Sequence, residues 1–177
     1  LAGMKGVGKG LFARAAAAEL VAEPGIPQPP ADRHPDILIP EHPPENKEEA
    51  KKRDDGGEYR RKRSIPIEEI RQLTMRLHTR PTLGARRVVI IDPADDLERN
   101  AANALLKALE EPPAGTFFLL VTHRPGRLLP TIRSRCRSLR FPALADADVA
   151  EILRHAAPQA DAAARSAAVA AAEGSPG

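Results

Sequence analysis

Two apolar runs, "RRVVIID" (86–92) and "TFFLLVT" (116–122), are separated by "ERNAANALLKALEEPP", where Ala101, Leu105 and Leu109 recur on one helical face and Pro112 stands beyond the end. A short run that is apolar throughout reads as a strand covered on both sides. Strand, helix and strand in that order pair in parallel through a right-handed crossover. The chain is thereby directed to an α/β fold, a parallel sheet with helices packed on it.

The alternation extends outward from this unit. "KGLFARAAAAELVA" (9–22) predicts a helix with Leu11, Ala15, Ala18 and Val21 or Ala22 at helical spacing, stopped by Pro24 and Gly25. "SIPIEEIRQLTMRLHTRP" (64–81) places Ile67, Ile70, Leu73 or Thr74, and Leu77 on one face; Ser64 or Pro66 opens the helix and Pro81 closes it. "PGRLLPTIRSRC" predicts a short helix and turn, and "RSLRFPAL" a third strand. Residues 24–63 differ: Pro, Asp, Glu, Lys and Arg dominate, and apart from one short strand in "HPDILIP" they read as a long mobile loop. After Pro142 two alanine-rich helices are expected, "ADADVAEILRHAA" and "ADAAARSAAVAAAEG", opening a small helical domain.

Composition excludes several classes. One cysteine, Cys136, rules out an internal disulfide framework and any zinc site built from two of the chain's own thiolates. Aromatic residues are 3% with no tryptophan, which argues against a base-stacking platform for single strands. A net charge of +3 does not by itself imply nucleic acid. No apolar run approaches the roughly 20 residues that cross a bilayer, and the first residues, small, glycine-rich and cationic, do not read as a signal peptide.

The first chemical motif is "GMKGVGKG" (3–10), close to the phosphate-loop pattern G-x-x-x-x-G-K-[ST]. Gly3, Gly6 and Gly8 let backbone N–H groups turn toward an anion, the following helix adds its positive end, and Lys9 is placed for the outer phosphates. The hydroxyl residue that holds magnesium is replaced by Gly10. A phosphate loop follows a buried strand, and only "LA" precedes this one, so the chain reads as a fragment cut within its first strand. The bland alternative for the loop is a helix start with a glycine turn and no ligand.

The second motif is "VVIIDPADDL". Asp92 ends an apolar strand, as the metal-holding acid of a nucleotide site does, but the next position carries Pro93, which has neither an acid nor an N–H. A general base contributes about 10²–10⁴ in rate, so hydrolysis here should be slow or absent. Asp95 and Asp96 are wrongly spaced to substitute. Each motif is altered at its hydrolytic position and intact elsewhere. In "TIRSRC", Arg133, Arg135 and Arg137 share a face if extended, and a guanidinium can bind phosphate bidentately in its own site or a neighbour's. Thr122, ending "FFLLVT", is either a gamma-phosphate sensor or a plain strand terminus. His34 and His42 lie in the Pro-rich segment without cysteines. Arg60, Arg61, Lys62 and Arg63 form an exposed basic run, the best local candidate for acidic surfaces or nucleic acid.

"NAANALLKALEEPPAGTFFLLVTHRPGRLLPTIRSRC", with "LAGMKGVGKG" and most of 64–142, resembles the bacterial clamp-loader modules of DNA polymerase III. The resemblance implies an AAA+ module over 1–142, with 24–63 a variable insert, and the truncated start of a helical lid over 143–177. "EGSPG" resembles the start of the second sensor helix. Gly10 and Pro93 match the delta-prime type, whose motifs are degenerate and whose SRC arginine acts on an adjacent subunit. The implied roles are Arg135 as an arginine finger in trans, and Gly3, Gly6, Gly8, Lys9, Asp92 and Thr122 as a degenerate site for ATP or ADP. Implied partners are the gamma/tau and delta subunits, the sliding clamp and, indirectly, primer-template DNA, in a bacterial cytoplasmic replisome. The alternative is an active gamma/tau-type ATPase. Family members often carry a four-cysteine zinc module after the first helix; residues 24–63 contain no cysteine, so zinc is not carried over.

Overall fold

The computed structural model describes residues 1–177. Its centre is the strand Arg87–Ile91, in which every residue is buried. Side chains alternate along a strand. Val88 and Ile90 therefore pack on one face with Ala13, Ala17 and Val21, while Val89 and Ile91 pack on the other with Ile70, Leu73, Leu105 and Ile132. This two-sided demand is why the run is apolar throughout.

Five strands run in parallel: β1 (Ala2–Gly3), β2 (Ile37–Leu38), β3 (Arg87–Ile91), β4 (Thr116–Leu120) and β5 (Arg140–Phe141). β3 pairs with β2 through Ile37 and Val88, and with β4 from Arg87 opposite Thr116 to Ile91 opposite Leu120. β1 pairs with β5. The two sets are joined where Ala2 bridges Thr122, with Thr122 N donating to Leu1 O at 2.9 Å and the Leu1 amino group to Leu120 O at 2.7 Å. The spatial order is β2-β3-β4-β1-β5, with β1 inserted between strands that come last in sequence. Chain direction across the sheet switches at β1, the position at which open parallel sheets place ligands at their C-terminal ends.

The expected helices are present as α1 (Lys9–Val21), α3 (Ile67–Leu77), α4 (Arg99–Glu110), α5 (Pro130–Arg133), α6 (Asp146–Ala156) and α7 (Ala162–Ala172). On α3 the predicted face is the buried one: Ile70, Leu73 and Leu77 are in the core and Ile67 packs against it. α1 differs. Its buried apolar residues are Ala13, Ala17 and Val21, while Leu11 is 77% exposed. A run of alanines has no strong apolar stripe to choose a face, and close packing on β3 selects the small side chains.

Residues 24–63 are more ordered than a mobile loop. Besides β2 they contain a 3-10 turn, Ala31–Arg33, and a helix, α2 (Lys47–Asp54). Asn46 caps α2 by accepting from Glu49 N at 2.9 Å. Glu49 in turn accepts from Lys52 Nζ at 2.7 Å and from Arg60 N at 2.6 Å, which fixes the chain after the helix. The third strand is shorter than "RSLRFPAL", covering only Arg140–Phe141. α6 and α7 pack on each other, and Val149 of α6 is fully buried. No helix is long and apolar enough to cross a membrane.

Candidate functional site

β1 delivers the chain to a loop at the C-terminal edge of the sheet, and α1 leaves from it. Gly6 and Gly8 adopt φ of +85° and +83°, and Gly8 is the residue before the first helical turn. A left-handed residue here costs a side chain strain that glycine avoids. No side chain caps α1 and no acid lies in its first turn, so its N-terminal N–H groups have no side-chain partner. Lys9 is only 2% exposed: its ammonium folds back to donate to Gly3 O at 2.8 Å and to Met4 O. Burial pushes its pKa below 10.5, opposed by the charges of Asp92 and Asp95. A shallow cavity of about 340 Å³ opens over Gly6, Gly8, Lys9, Gly10, Arg14 and His123. Ser175, from the segment after α7, donates to Lys5 O and brings that segment against the loop.

Asp92 stands directly after β3, as predicted, but a guanidinium already holds it. Arg14 Nη1 donates to Asp92 Oδ2 at 3.2 Å and to Gly10 O at 3.2 Å, and Arg14 Nε donates to Asp32 Oδ1 at 3.0 Å. Magnesium, which a nucleotide in this fold family would bring, does not fit this donor set. Gly10 supplies no hydroxyl, Pro93 no acid, Asp92 is tied to Arg14, and no three carboxylate, imidazole or thiolate groups converge.

The other acids are engaged as well. Asp95 accepts from Thr122 Oγ1 at 2.8 Å, His123 N at 2.6 Å and Arg124 N at 3.2 Å. Asp96 meets His42 Nε2 at 3.0 Å. His34 is buried, joined to Gln28 at 2.6 Å and accepting from Asp36 N at 3.0 Å. The two histidines thus serve different local turns. Arg60, Arg61, Lys62 and Arg63 are exposed.

The arginine cluster is not extended. α5 ends at Arg133 and a tight turn follows, with Ser134 N donating to Pro130 O at 2.9 Å and Arg135 N to Ile132 O at 3.1 Å. The turn breaks the alternation that would have aligned Arg133, Arg135 and Arg137. Ile132, 1% exposed, roots it in the core, and half-buried Cys136 packs against the same cluster. Burial raises the Cys136 thiol pKa above its ordinary 9.0. Arg135 is left exposed, its Nη1 donating to Thr131 O at 2.8 Å and Ser134 Oγ at 3.2 Å, its Nη2 to Glu110 Oε1 at the end of α4. Beside the turn lies the larger cavity, about 1140 Å³, which includes Arg133, Ser134 and Cys136 but does not reach Lys9. Arg14, Glu110 and His123 are site residues that sequence reasoning passed over. "LEEPP" carried Glu110 in plain view, whereas Arg14 and His123 gave no local signal.

A family model described as DNA polymerase III, delta subunit, matches residues 1–145. The chain belongs to this family. It is 45% identical over 94 residues to DNA polymerase III subunit delta' of Pseudomonas aeruginosa, a match covering 53% of this chain and 29% of that protein. With the delta' subunit of Escherichia coli it shares 49% over 76 residues, 43% of this chain and 23% of the relative. The tau/gamma subunit of Haemophilus influenzae is 39% identical over 89 residues, 50% of this chain and 13% of that one. The chain therefore spans well under two thirds of these curated relatives. Among solved structures, a DNA polymerase III gamma subunit-related protein from Thermotoga maritima aligns over 87% of this chain and 43% of its own at 27% identity, with a TM-score of 0.56. This family and neighbour agree with the α/β module, and the delta' relatives named here are more alike in sequence than the tau/gamma one.

Proposed function

We propose that this chain is the AAA+ module of a delta-prime-type clamp-loader subunit, a component that helps to load the sliding clamp onto DNA without hydrolysing ATP itself. The observation that carries this is an asymmetry. The chain's own hydrolytic positions are Gly10 and Pro93, while Arg135 stands exposed on a turn rooted in the core. Such a surface serves a neighbour's site better than its own.

In this reading Arg135 turns from Glu110 toward the phosphates held by an adjacent gamma/tau-type subunit. A guanidinium stabilises the charge that builds in phosphoryl transfer, and one supplied in trans is worth roughly 10³–10⁵ in rate. Thr131 O and Ser134 Oγ hold the other edge of the guanidinium and limit its freedom. ATP or ADP at this chain's own loop would be held by the N–H groups after Gly6 and Gly8 and by Lys9, which must first leave the carbonyls of Gly3 and Met4. That exchange makes the binding weak. The other partners are delta, the clamp and, indirectly, primer-template DNA, and the setting is the cytoplasmic bacterial replisome.

The competing reading is an active gamma/tau-type ATPase, favoured by the retained glycines and Lys9. ATP turnover by the isolated full-length protein separates them. The delta-prime reading predicts none above background. Turnover that Lys9→Ala abolishes would establish the ATPase instead.

A further inference from the structure

We propose that the Arg14 guanidinium is the resident cation of the phosphate-loop site, filling at Asp92 the place a divalent metal takes in active relatives, so that any anion bound here is bound without metal. The side chain joins three separate elements. It springs from the first turns of α1 and touches Gly10 O and Asp92 Oδ2, each at 3.2 Å. From its other edge it reaches Asp32 Oδ1 at 3.0 Å, in the 3-10 turn Ala31–Arg33 before β2. Two carboxylates from separate elements thus share one fixed charge. An arginine cannot be neutralised in a protein and offers its donors as a planar fork, which suits it to bridging two acids.

Gly10 belongs to the same feature. A Cβ built there would overlap Asp92 Oδ2 and come within 3.3 Å of Arg14 Nη1. The position that carries a hydroxyl in metal-binding loops is here vacated so that Asp92 and Arg14 can meet. The missing hydroxyl and the new ion pair are one substitution of chemistry, an internal cation for an external one. Magnesium demands near-octahedral oxygen ligands and gives up its waters reluctantly. It would have to displace a guanidinium already seated, beside Lys9 and with no hydroxyl from residue 10. Inorganic phosphate or a nucleotide needs no carboxylate ligand and meets Lys9, the start of α1, and an Asp92 whose charge Arg14 already offsets. Only that last consequence rests on the loop being an anion cradle; the exclusion of metal rests on Arg14, Asp92 and Gly10 alone.

Mn²⁺, followed by the loss of its free-ion electron paramagnetic resonance signal, is the probe. The full-length protein and its Asp92→Asn variant should retain the same small, non-specific uptake. An Arg14→Met, Gly10→Ser double variant should bind Mn²⁺ at least tenfold more tightly than either. Uptake by the unmodified protein that Asp92→Asn removes would overturn the proposal, as would failure of the double variant to gain binding while still folded by circular dichroism. A second measurement needs no metal. The unfolding free energies of Arg14→Met, Asp92→Asn and their combination should be non-additive, the combination less damaging than the summed singles; strict additivity would show that the pair is not formed. Fluorescent ADP should bind with the same affinity, within twofold, in excess Mg²⁺ and in chelator. Tightening by Mg²⁺ counts against the proposal, whereas absence of ADP binding under both conditions removes the cradle reading and leaves the Mn²⁺ result to decide this one.

Discussion

Thr122 donates its hydroxyl to Asp95 Oδ1 at 2.8 Å, tying the end of β4 to the turn that follows β3. The same carboxylate accepts from His123 N and Arg124 N. The three bonds fix the strand end beside the phosphate loop, and they point the hydroxyl at an acid. Thr122→Val should therefore lower stability by about 1 kcal/mol, the usual net value of one hydrogen bond. Asp95→Ala, which strands two backbone donors as well, should cost about 1.5–3 kcal/mol. Urea unfolding of both variants checks this, and phosphate affinity should be unchanged in Thr122→Val.

His123 gives a pH signature. Its Nδ1 is shielded and has no partner, and its pKa lies below 6.5, first through burial and then through the charge of Lys9. The folded state resists protonation, so the unfolded chain binds the proton more readily as pH falls below 6.5. Stability should fall with acidification from pH 6.5 to the lowered folded value, and level off below it. His123→Gln should flatten that limb of a stability-against-pH curve; an unaltered slope would assign it to other groups.

Asp36 and Arg87 are buried together, with Asp36 Oδ1 3.6 Å from Arg87 Nη2. Asp36 also accepts from Thr82 N at 2.6 Å and Leu83 N at 2.8 Å, while Arg87 donates to Thr79 O and Arg80 O, each at 2.9 Å. The pair fastens the loop after α3 to the start of β3. Asp36→Ala leaves a buried guanidinium uncompensated and should cost about 3–5 kcal/mol. An Asp36→Leu, Arg87→Met double variant should cost much less than the two singles combined, read by chemical denaturation.

What could be read in the sequence was what rests on local periodicity. β3 and β4 are continuous apolar runs, and α3 and α4 bury apolar residues three and four apart, so each element was visible; β4, read as covered on both sides, instead leaves Phe117 41% exposed. α2 was not visible, because it has no apolar stripe: Asn46 caps it at Glu49 N, and the Glu49 carboxylate accepts from Lys52 and Arg60. The buried face of α1 was misjudged because alanines in every row leave the choice to packing against Val88 and Ile90. The glycine loop at 3–10 and the SRC turn were visible as sequence patterns. The Arg14–Asp92 pair, 78 residues apart, was not, since nothing local to either residue names the other. The short helix and turn expected over PGRLLPTIRSRC is α5 with its following turn, so the condition under which Arg133, Arg135 and Arg137 would share a face is not met.

The central claim is that this chain supplies its guanidinium to a neighbour. The direct measurement is steady-state ATP turnover, with clamp and primed DNA, by a clamp loader reconstituted with the full-length subunit carrying Arg135→Ala. Assembly is verified by gel filtration. The complex should stay intact while turnover falls at least tenfold, far beyond what loss of the exposed Glu110 ion pair could do through stability. An intact complex that turns over ATP and loads clamps at the unmodified rate would contradict it.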